Sequence, residues 1–436
     1  MSWYELFTGS LQELGFVLNP YDPCIANCDI EGTQCIIAWY VDDKNKISHA
    51  SPTVVTKIIE LIEKRFDKMT VTRGREHVFL GMHIVYTDQG TAEITMTEYL
   101  KEAIAESGMT LKRVSATPAN KDLFEVDGAA KPLEKMDAER LHSVVYKLMY
   151  VALRARMDLL LAVGFLSTRV SKSTVQDREK LRRLLEYVKG SLHLKYTLGA
   201  DDMGSLRTWV DASYAVHPDM RSHTGGVISF GLGGIACKSS KQKLNTKSST
   251  EAEFVGASDY LPNTIWVQMF MAAQGYTIKS SFLEQDNESA IKLEKNGRMS
   301  AGPKSRHINI RYFWIKDRTK AEGIAIRHCP TLHMLADFFT KPLQGILFKR
   351  FRDVILGYKH VNSLALDVPH LAEERVGDSA TGTGTTLLDT GKQHSTATSA
   401  DVVRGDKREA VKEQQPVDQQ DKIVLRSLSQ NNPVSN

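Results

Sequence analysis

The sequence predicts an α+β chain of several domains, built around a mixed β-sheet flanked by helices. Three observations carry this. Short apolar strands recur between residues 205 and 240, bounded by glycines. From there to about residue 345, helical and strand-like stretches alternate, an order that sets a mixed sheet between helices. The chain has 436 residues, 42% of them hydrophobic, which is enough for two or three cores. No apolar run is long enough to span a bilayer, and no basic-then-apolar leader opens the chain. The expected setting is therefore intracellular, cytoplasmic or nuclear, with no membrane partner.

Along the chain, residues 1–110 mix short strands and helices. MSWYELFTGSLQELGF is amphipathic, IIAWYV (36–41) is a strand, and KISHA is its partner across a basic turn, KNK. PTVVTKIIELIEKRF (52–66) has helical spacing, HVFLGMHIVY (77–86) reads as a strand containing a glycine, and TAEITM (91–96) as the next hairpin arm. Residues 111–200 read as a connector of packed helices, 138–170 and 174–191, the second opened by Thr174 and closed at Gly190. Residues 201–345 hold strands RTWVDAS, GGVISF and GIACKS and then a helix over 249–275, interrupted around Pro262. SSFLEQD follows as a strand, then two helices, the strand IAIRHC and a closing helix TLHMLADFFTK. A short extension covers 346–360. From residue 361 to 436 there is no Phe, Trp, Tyr or Cys, and the composition predicts a disordered tail.

The five cysteines do not make a disulfide framework, and Cys24, Cys28 and Cys35 lack the second pair of a zinc site. The net charge of +4 is mild, but its distribution is uneven. KSSKQKLNTK (238–247) has four lysines and no acid, and from Lys292 to Arg327 cations interleave with aromatics, as on a face that meets phosphates.

The sharpest signal is a set of acids at element ends. Asp211 ends the first strand of the third zone, Asp286 ends its fourth, Glu253 opens the long helix and Asp337 lies in MLADFFTK. Adjacent strands with acids at one end bring like charges together, and divalent cations relieve that conflict. An all-oxygen site suits Mg²⁺, with Mn²⁺ as a substitute. Glu251 and Glu253 cannot both face such a site, because residues two apart on a helix diverge. Ser248 and Glu251 fit a capping box, which leaves Glu253 as the ligand.

WVDASYAVHPDMRSHTGGVISF, KQKLNTKSSTEAEFVGASD, EQDNESAIKL, KSRHINIRYFWIKD and ADFFTKPLQG resemble the ribonuclease H domain of copia-type retrotransposon polyproteins. YVDD, with YKLMYVALRARMD and LRRLLEYVKGS, resembles the reverse transcriptase palm and connecting segment of that family. The resemblance spans roughly residues 1–358, with its motifs in family order. It implies a partial palm over 1–110, a connection over 111–200 and a ribonuclease H-like domain over 201–345. It also implies cleavage of the RNA strand of an RNA–DNA hybrid by two metal ions, with the remainder of a Pol polyprotein as partner. The implied catalytic and metal-binding acids are Asp211, Glu253, Asp286 and Asp337. His328, or alternatively His333, corresponds to a histidine that helps product release. Tyr40, Val41, Asp42 and Asp43 form the polymerase motif, in which the two aspartates hold metal ions. Gly81 resembles an element that seats the primer. Lys304, Arg306, His307 and Arg311 are candidate nucleic-acid contacts. The family's third palm aspartate belongs on an earlier strand, and Asp22 and Asp29, in a turn-rich stretch, do not supply it. The expectation is a fragment that starts partway through the palm. The alternatives are an RNA-directed DNA polymerase that needs upstream sequence, and an inactive nucleic-acid-binding remnant.

Overall fold

The amphipathic start is a helix, α1 (Trp3–Glu13), closed at its N-terminus by a Ser2–Glu5 capping box. Its apolar face, with Phe7 and Leu11, packs on a sheet through Trp39 and Ile37. That sheet contains β1 (Val17–Asn19), β2 (Asp22–Ile30), β3 (Thr33–Tyr40) and β4 (Lys44–Ser48). Helix α2 (Pro52–Phe66) covers it and leads to β5 (Met69–Thr72). The turn-rich reading of residues 20–31 is corrected: β2 is a nine-residue strand paired with β3. Its β-branched and small residues satisfy their backbone groups in the ladder, and the turns are confined to Pro20–Tyr21 and Glu31–Gly32. The KNK run is likewise strand, with Tyr40 opposite Lys44.

In this computed structural model the described residues are 2–40, 44–296, 306–366 and 422–427. At 44, 293, 296, 306–310, 312, 366 and 422–427 only the backbone is described. Val41, Asp42, Asp43 and Lys304 lie outside them.

A second sheet begins with β6 (Glu76–Phe79) and β7 (Met82–Tyr86). The expected single strand over 77–86 is a hairpin. Leu80 and Gly81 have φ of 52° and 76°, the two positive values of a type I′ turn. Gly81 is required there, since a Cβ would meet the Tyr99 ring at 2.5 Å. β8 (Ala92–Thr95) and helix α3 (Thr97–Glu106) follow. The connector helices are α4 (Lys135–Ala152), α5 (Leu160–Ser167) and α6 (Val175–Gly190). They form the largest core, with Val144, Leu148, Phe165 and Leu184 fully enclosed. β9 (Tyr196–Ala200) pairs with β8 and with β12 (Gly231–Leu232), so this sheet draws strands from all three expected zones.

The third sheet positions the site. β10 (Ser205–Ser213) is its centre, with β11 (His223–Ser229) antiparallel on one side and β14 (Ser280–Gln285) parallel on the other. β13 (Ala236–Lys241) and β15 (Ile324–His328) are the edges. Alternation puts Trp209 and Val227 into the helical core, and Val210 and Ile228 under helix α7 (Ser249–Ala273). The expected break at Pro262 is absent and α7 is continuous. Thirteen buried positions along it outweigh the hydrogen bond that a mid-helix proline removes. Helices α8 (Glu288–Asn296) and α9 (Arg306–Ala321) lie between β14 and β15 in sequence. The expected closing helix is two 3₁₀ turns, Thr331–His333 and Leu335–Phe339, followed by α10 (Gly345–Ile355).

The disordered-tail expectation falls mostly outside the described residues, but two described pieces are regular. Helix α11 (Ser363–Leu366) follows a buried Val361 and buries Leu364. β16 (Lys422–Ser427) lies between β4 and β5, antiparallel to both. Its Ile-Val-Leu run has strand propensity that a search for aromatics overlooks. The described residues belong to one unit, Met1–Leu366 with Gln419–Asn436; a second unit, Asp367–Asp418, lies outside them.

Candidate active site

Strand register brings the acids together. Trp209 pairs with Glu284 in the parallel β10–β14 ladder, so Asp211 and Asp286, each two residues further on, leave the sheet at one end. Glu253 sits in the second turn of α7, and its Oε2 accepts from the Ala212 amide at 3.0 Å. Ligand atoms of Asp211, Glu253 and Asp286 lie within 4.8 Å of one another, the one such group of possible metal ligands among the described residues. Asp211 and Glu253 are buried, and Asp286 is partly open.

Asp337 is adjacent but differently employed. Its Oδ1 accepts from the Lys341 ammonium at 2.7 Å, and the same Nζ lies 3.5 Å from Asp211 Oδ2. Asp211 Oδ2 also accepts from the Thr340 hydroxyl. The 3₁₀ turn is what allows this. It folds Thr340 and Lys341 back over Asp337, with the Lys341 amide bonded to the Asp337 carbonyl at 2.9 Å. Gly225, opposite Asp211 in the β10–β11 ladder, leaves room for the turn, since a Cβ there would meet the Ala336 carbonyl at 2.8 Å.

The electrostatics are those of an under-neutralised cluster. Burial, then Asp211 and Asp286, push the Glu253 carboxyl well above its ordinary range. Burial and Asp211 raise Asp286. Burial and Asp211 raise Asp337 to about 7 against the pull of Lys341. Lys341 is held protonated by Asp211 and Asp337 despite its burial. One ammonium thus serves four carboxyls. An all-oxygen set with excess negative charge fits a hard divalent cation.

A buried polar relay underpins the turn. The Ser239 hydroxyl donates to the Phe339 carbonyl at 2.7 Å, which leaves its oxygen to accept from His223 Nε2 at 2.8 Å. His223 Nδ1 must then accept from His217 Nε2 at 2.9 Å. Both rings are buried, and burial lowers them to about 4 (His217) and about 3 (His223), so both are neutral at pH 7.

The remaining sequence candidates separate. His328 is exposed at the end of β15, opposite Gln285 and near enough to favour ionised Asp286. His333 is half-buried, lowered by burial and then by Arg350. Arg311, expected on phosphate, forms an ion pair with Asp259 of α7. Arg306 and His307 lie at the start of α9. Exposed Tyr40 ends β3. Ser248 caps α7, accepting from the Glu251 amide at 3.2 Å, but the expected capping box is only half formed, because the Glu251 carboxylate accepts from the Lys247 amide at 2.8 Å instead of from the Ser248 amide. Sequence reasoning missed Lys341, Thr340 and the histidine relay. Only Lys341 left a signal, four residues after Asp337.

No family model matches the sequence. The chain is similar to the retrovirus-related Pol polyprotein from transposon TNT 1-94 of Nicotiana tabacum, with 26% identity over 81% of this chain and 27% of that protein. The Pol polyprotein from transposon RE1 of Arabidopsis thaliana matches at 26% identity over 81% of this chain and 24% of its own length. The transposon Ty1-ER2 Gag-Pol polyprotein of Saccharomyces cerevisiae matches at 22%, over 74% of this chain and 19% of its own length. The chain thus spans about a quarter of the length of the first two relatives. Among solved structures, the RNase H1 of Halobacterium salinarum aligns at 16% identity over 30% of this chain and 91% of that one, with a TM-score of 0.23. The N-terminal RNase H domain of rv2228c from Mycobacterium tuberculosis aligns at 12% over 37% and 96%, with a TM-score of 0.22. Scores this low carry no weight for the site, which stands on its own geometry. No helix among the described residues is long and apolar enough to cross a membrane.

Proposed function

We propose that the chain is a divalent-metal-dependent nuclease that hydrolyses the RNA strand of an RNA–DNA hybrid, as part of a retrotransposon Pol polyprotein. The observation that carries this is the convergence of Asp211, Glu253 and Asp286 at one sheet end, with Asp337 beside them. These residues would hold Mg²⁺ or Mn²⁺, which when bound activates water and stabilises the leaving oxygen of a phosphodiester. Similarity to Pol polyproteins supports the setting and the substrate class. Within the chain, the Ala212 amide orients Glu253, while Thr340 and Lys341 fix Asp211. Lys341 keeps a positive charge where a phosphate oxygen would approach. In this reading His328, exposed and near enough to influence Asp286, would help the product leave. Arg306 and His307 remain proposed contacts to the hybrid.

A second reading is RNA-directed DNA synthesis. The observation in its favour is the antiparallel β3–β4 pair on either side of residues 41–43, where Asp42 and Asp43 stand in the sequence. The test is a gel assay on labelled RNA–DNA hybrid with Mg²⁺, Mn²⁺ or EDTA. RNA cleavage with metal, absent with EDTA and in Asp211→Asn, is expected. No cleavage with either metal, while the chain still binds hybrid, would leave the nucleic-acid-binding remnant. Template-dependent nucleotide incorporation would establish the second reading.

A further inference from the structure

A cleft of about 550 Å³ opens between α4, α6 and the loop after α3, away from the carboxylates. Five basic side chains line it: Lys112, Arg113, Arg140, Arg178 and Arg182. Asp137 and Glu186 are its acids. Helical spacing aligns Arg140 with Val144 on α4, with Leu141 next to them, and Arg178 with Leu181 and Arg182 on α6, so cations rim an apolar floor. Glu179, just outside the lining, pairs with Arg182 at 2.9 Å, so three carboxylates face five cations. Asp137 is shared by Arg178 at 3.2 Å and Arg140 at 3.7 Å, and Glu186 accepts from Ser115 at 3.1 Å, with Arg113 3.9 Å away. Two guanidiniums offer ten donors to one carboxylate, so most face elsewhere. Arg182 Nε is buried without a hydrogen-bond partner among the described residues.

Such a site takes an anion. No aromatic side chain lines it, so a base has nothing to stack on. We infer that the cleft holds backbone phosphates of a nucleic-acid strand whose other end lies at the carboxylates. This rests on the nucleic-acid reading above. The link between the two places is one loop. Arg113 and Lys112 line the cleft, and Ser115 bonds to Glu186. Thr117 accepts from Arg183 at 2.9 Å and donates to Gln344 at 3.0 Å. Ala119 shares a small hollow with Lys341. Ala119 is six positions on from Arg113, so this path spans at most ~22 Å. At ~3.4 Å per base pair that is about six or seven pairs.

The experiment measures binding of hybrid by the full chain carrying Asp211→Asn, at several salt concentrations. One variant adds Arg140→Gln, Arg178→Gln and Arg182→Gln; a second adds only Lys112→Gln and Arg113→Gln on the exposed loop, where folding is not at risk. With a hybrid of about 18 base pairs, the slope of log affinity against log salt should fall by about two to three in the first variant and about one to two in the second. An unaltered slope for the long hybrid in both variants overturns the inference. A nucleoside triphosphate that binds the unsubstituted cleft more tightly than the long hybrid overturns it too, in favour of a free nucleotide. The outcome separates from that of the nuclease reading. Lost slope in a chain that never cleaves RNA keeps the cleft and removes the active site, whereas cleavage with an unaltered slope does the reverse.

Discussion

The buried carboxylate of the helical connector and the carboxylates at the sheet end are solved in opposite ways. In the helical connector, Arg156 grips Asp158 with two hydrogen bonds of 2.8 Å and reaches the Ser191 carbonyl and hydroxyl at 3.0 and 2.7 Å. Tyr187 completes the set by donating to Asp158 at 2.7 Å. One cation meets one anion, and both are fully enclosed. At the sheet end, four carboxyls share one lysine, and the nearest partners of Glu253 include two more acids. A balanced cluster is complete without a ligand, whereas an unbalanced one stays costly until a cation arrives. The first is architecture, and the second is proposed as chemistry.

The largest expected effect breaks the balanced cluster. Arg156→Met strands a buried Asp158 charge and should cost about 3–5 kcal/mol of stability. Adding Asp158→Leu should restore much of that loss, because a matched apolar pair replaces a matched ionic one. Urea unfolding of the single and double variants checks this. If the double variant were the less stable of the two, the pair would not be self-contained.

The unbalanced cluster should respond in the opposite sense. Glu253→Gln keeps the shape and an acceptor for the Ala212 amide but removes charge. RNA cleavage should fall about 10²–10³-fold. Stability without metal should rise, on the order of 1 kcal/mol, because a repelling carboxylate has gone. Paired cleavage and thermal-unfolding measurements test both halves. A variant that loses stability as steeply as Arg156→Met would place Glu253 in the architecture.

Much of this contrast was legible beforehand. The acids stood at strand ends in WVDAS and EQD, and period-2 alternation fixed which way those strands face. Glu251 and Glu253 separated by helix geometry alone. What escaped was set by tertiary contact. Pro262 reads as a break, yet burial along α7 overrides it. MLADFFTK has helical composition, but it packs against Gly225, where a Cβ would meet the Ala336 carbonyl at 2.8 Å, and it forms a 3₁₀ turn. Leu80–Gly81 hides a hairpin because leucine rarely takes positive φ. The partners of β9 and β16 are remote in sequence, and no local pattern names them.

A smaller effect probes the relay beneath the site. His217 and His223 titrate near 6.5 when unfolded but near 4 and 3 when folded, because burial disfavours their charge. Below pH 6.5 the unfolded chain therefore takes up protons that the folded chain refuses. The relay's contribution is complete above that pH and is lost as pH falls toward 4, amounting to roughly 3 kcal/mol for the first proton. His223→Gln removes one of the two rings and should roughly halve the fall in unfolding free energy between pH 6.5 and 4. An unchanged pH dependence in that variant would show that the acid sensitivity arises elsewhere.

The smallest expected effect lies two residues from one of the largest. Glu251 and Glu253 differ only in which side of α7 they occupy. Glu251 is half-exposed, and its carboxylate accepts one backbone hydrogen bond, from Lys247. A glutamine carbonyl can accept the same bond, and the Ser248 hydroxyl still caps the helix. What Glu251→Gln removes is a charge near the helix N-terminus, worth about 0.3–1 kcal/mol at an exposed position and less as salt rises. Cleavage should stay within about twofold of the unsubstituted chain, since no ligand atom is lost. Both variants should be assayed with saturating hybrid and Mg²⁺. Collapse of cleavage in Glu251→Gln, with near-normal rates in Glu253→Gln, would exchange the two roles and move the metal-facing side of α7 by two residues. Near-normal rates in both would take the helix out of the proposed active site, leaving Asp211 and Asp286 without the third carboxylate that lies within 4.8 Å of them.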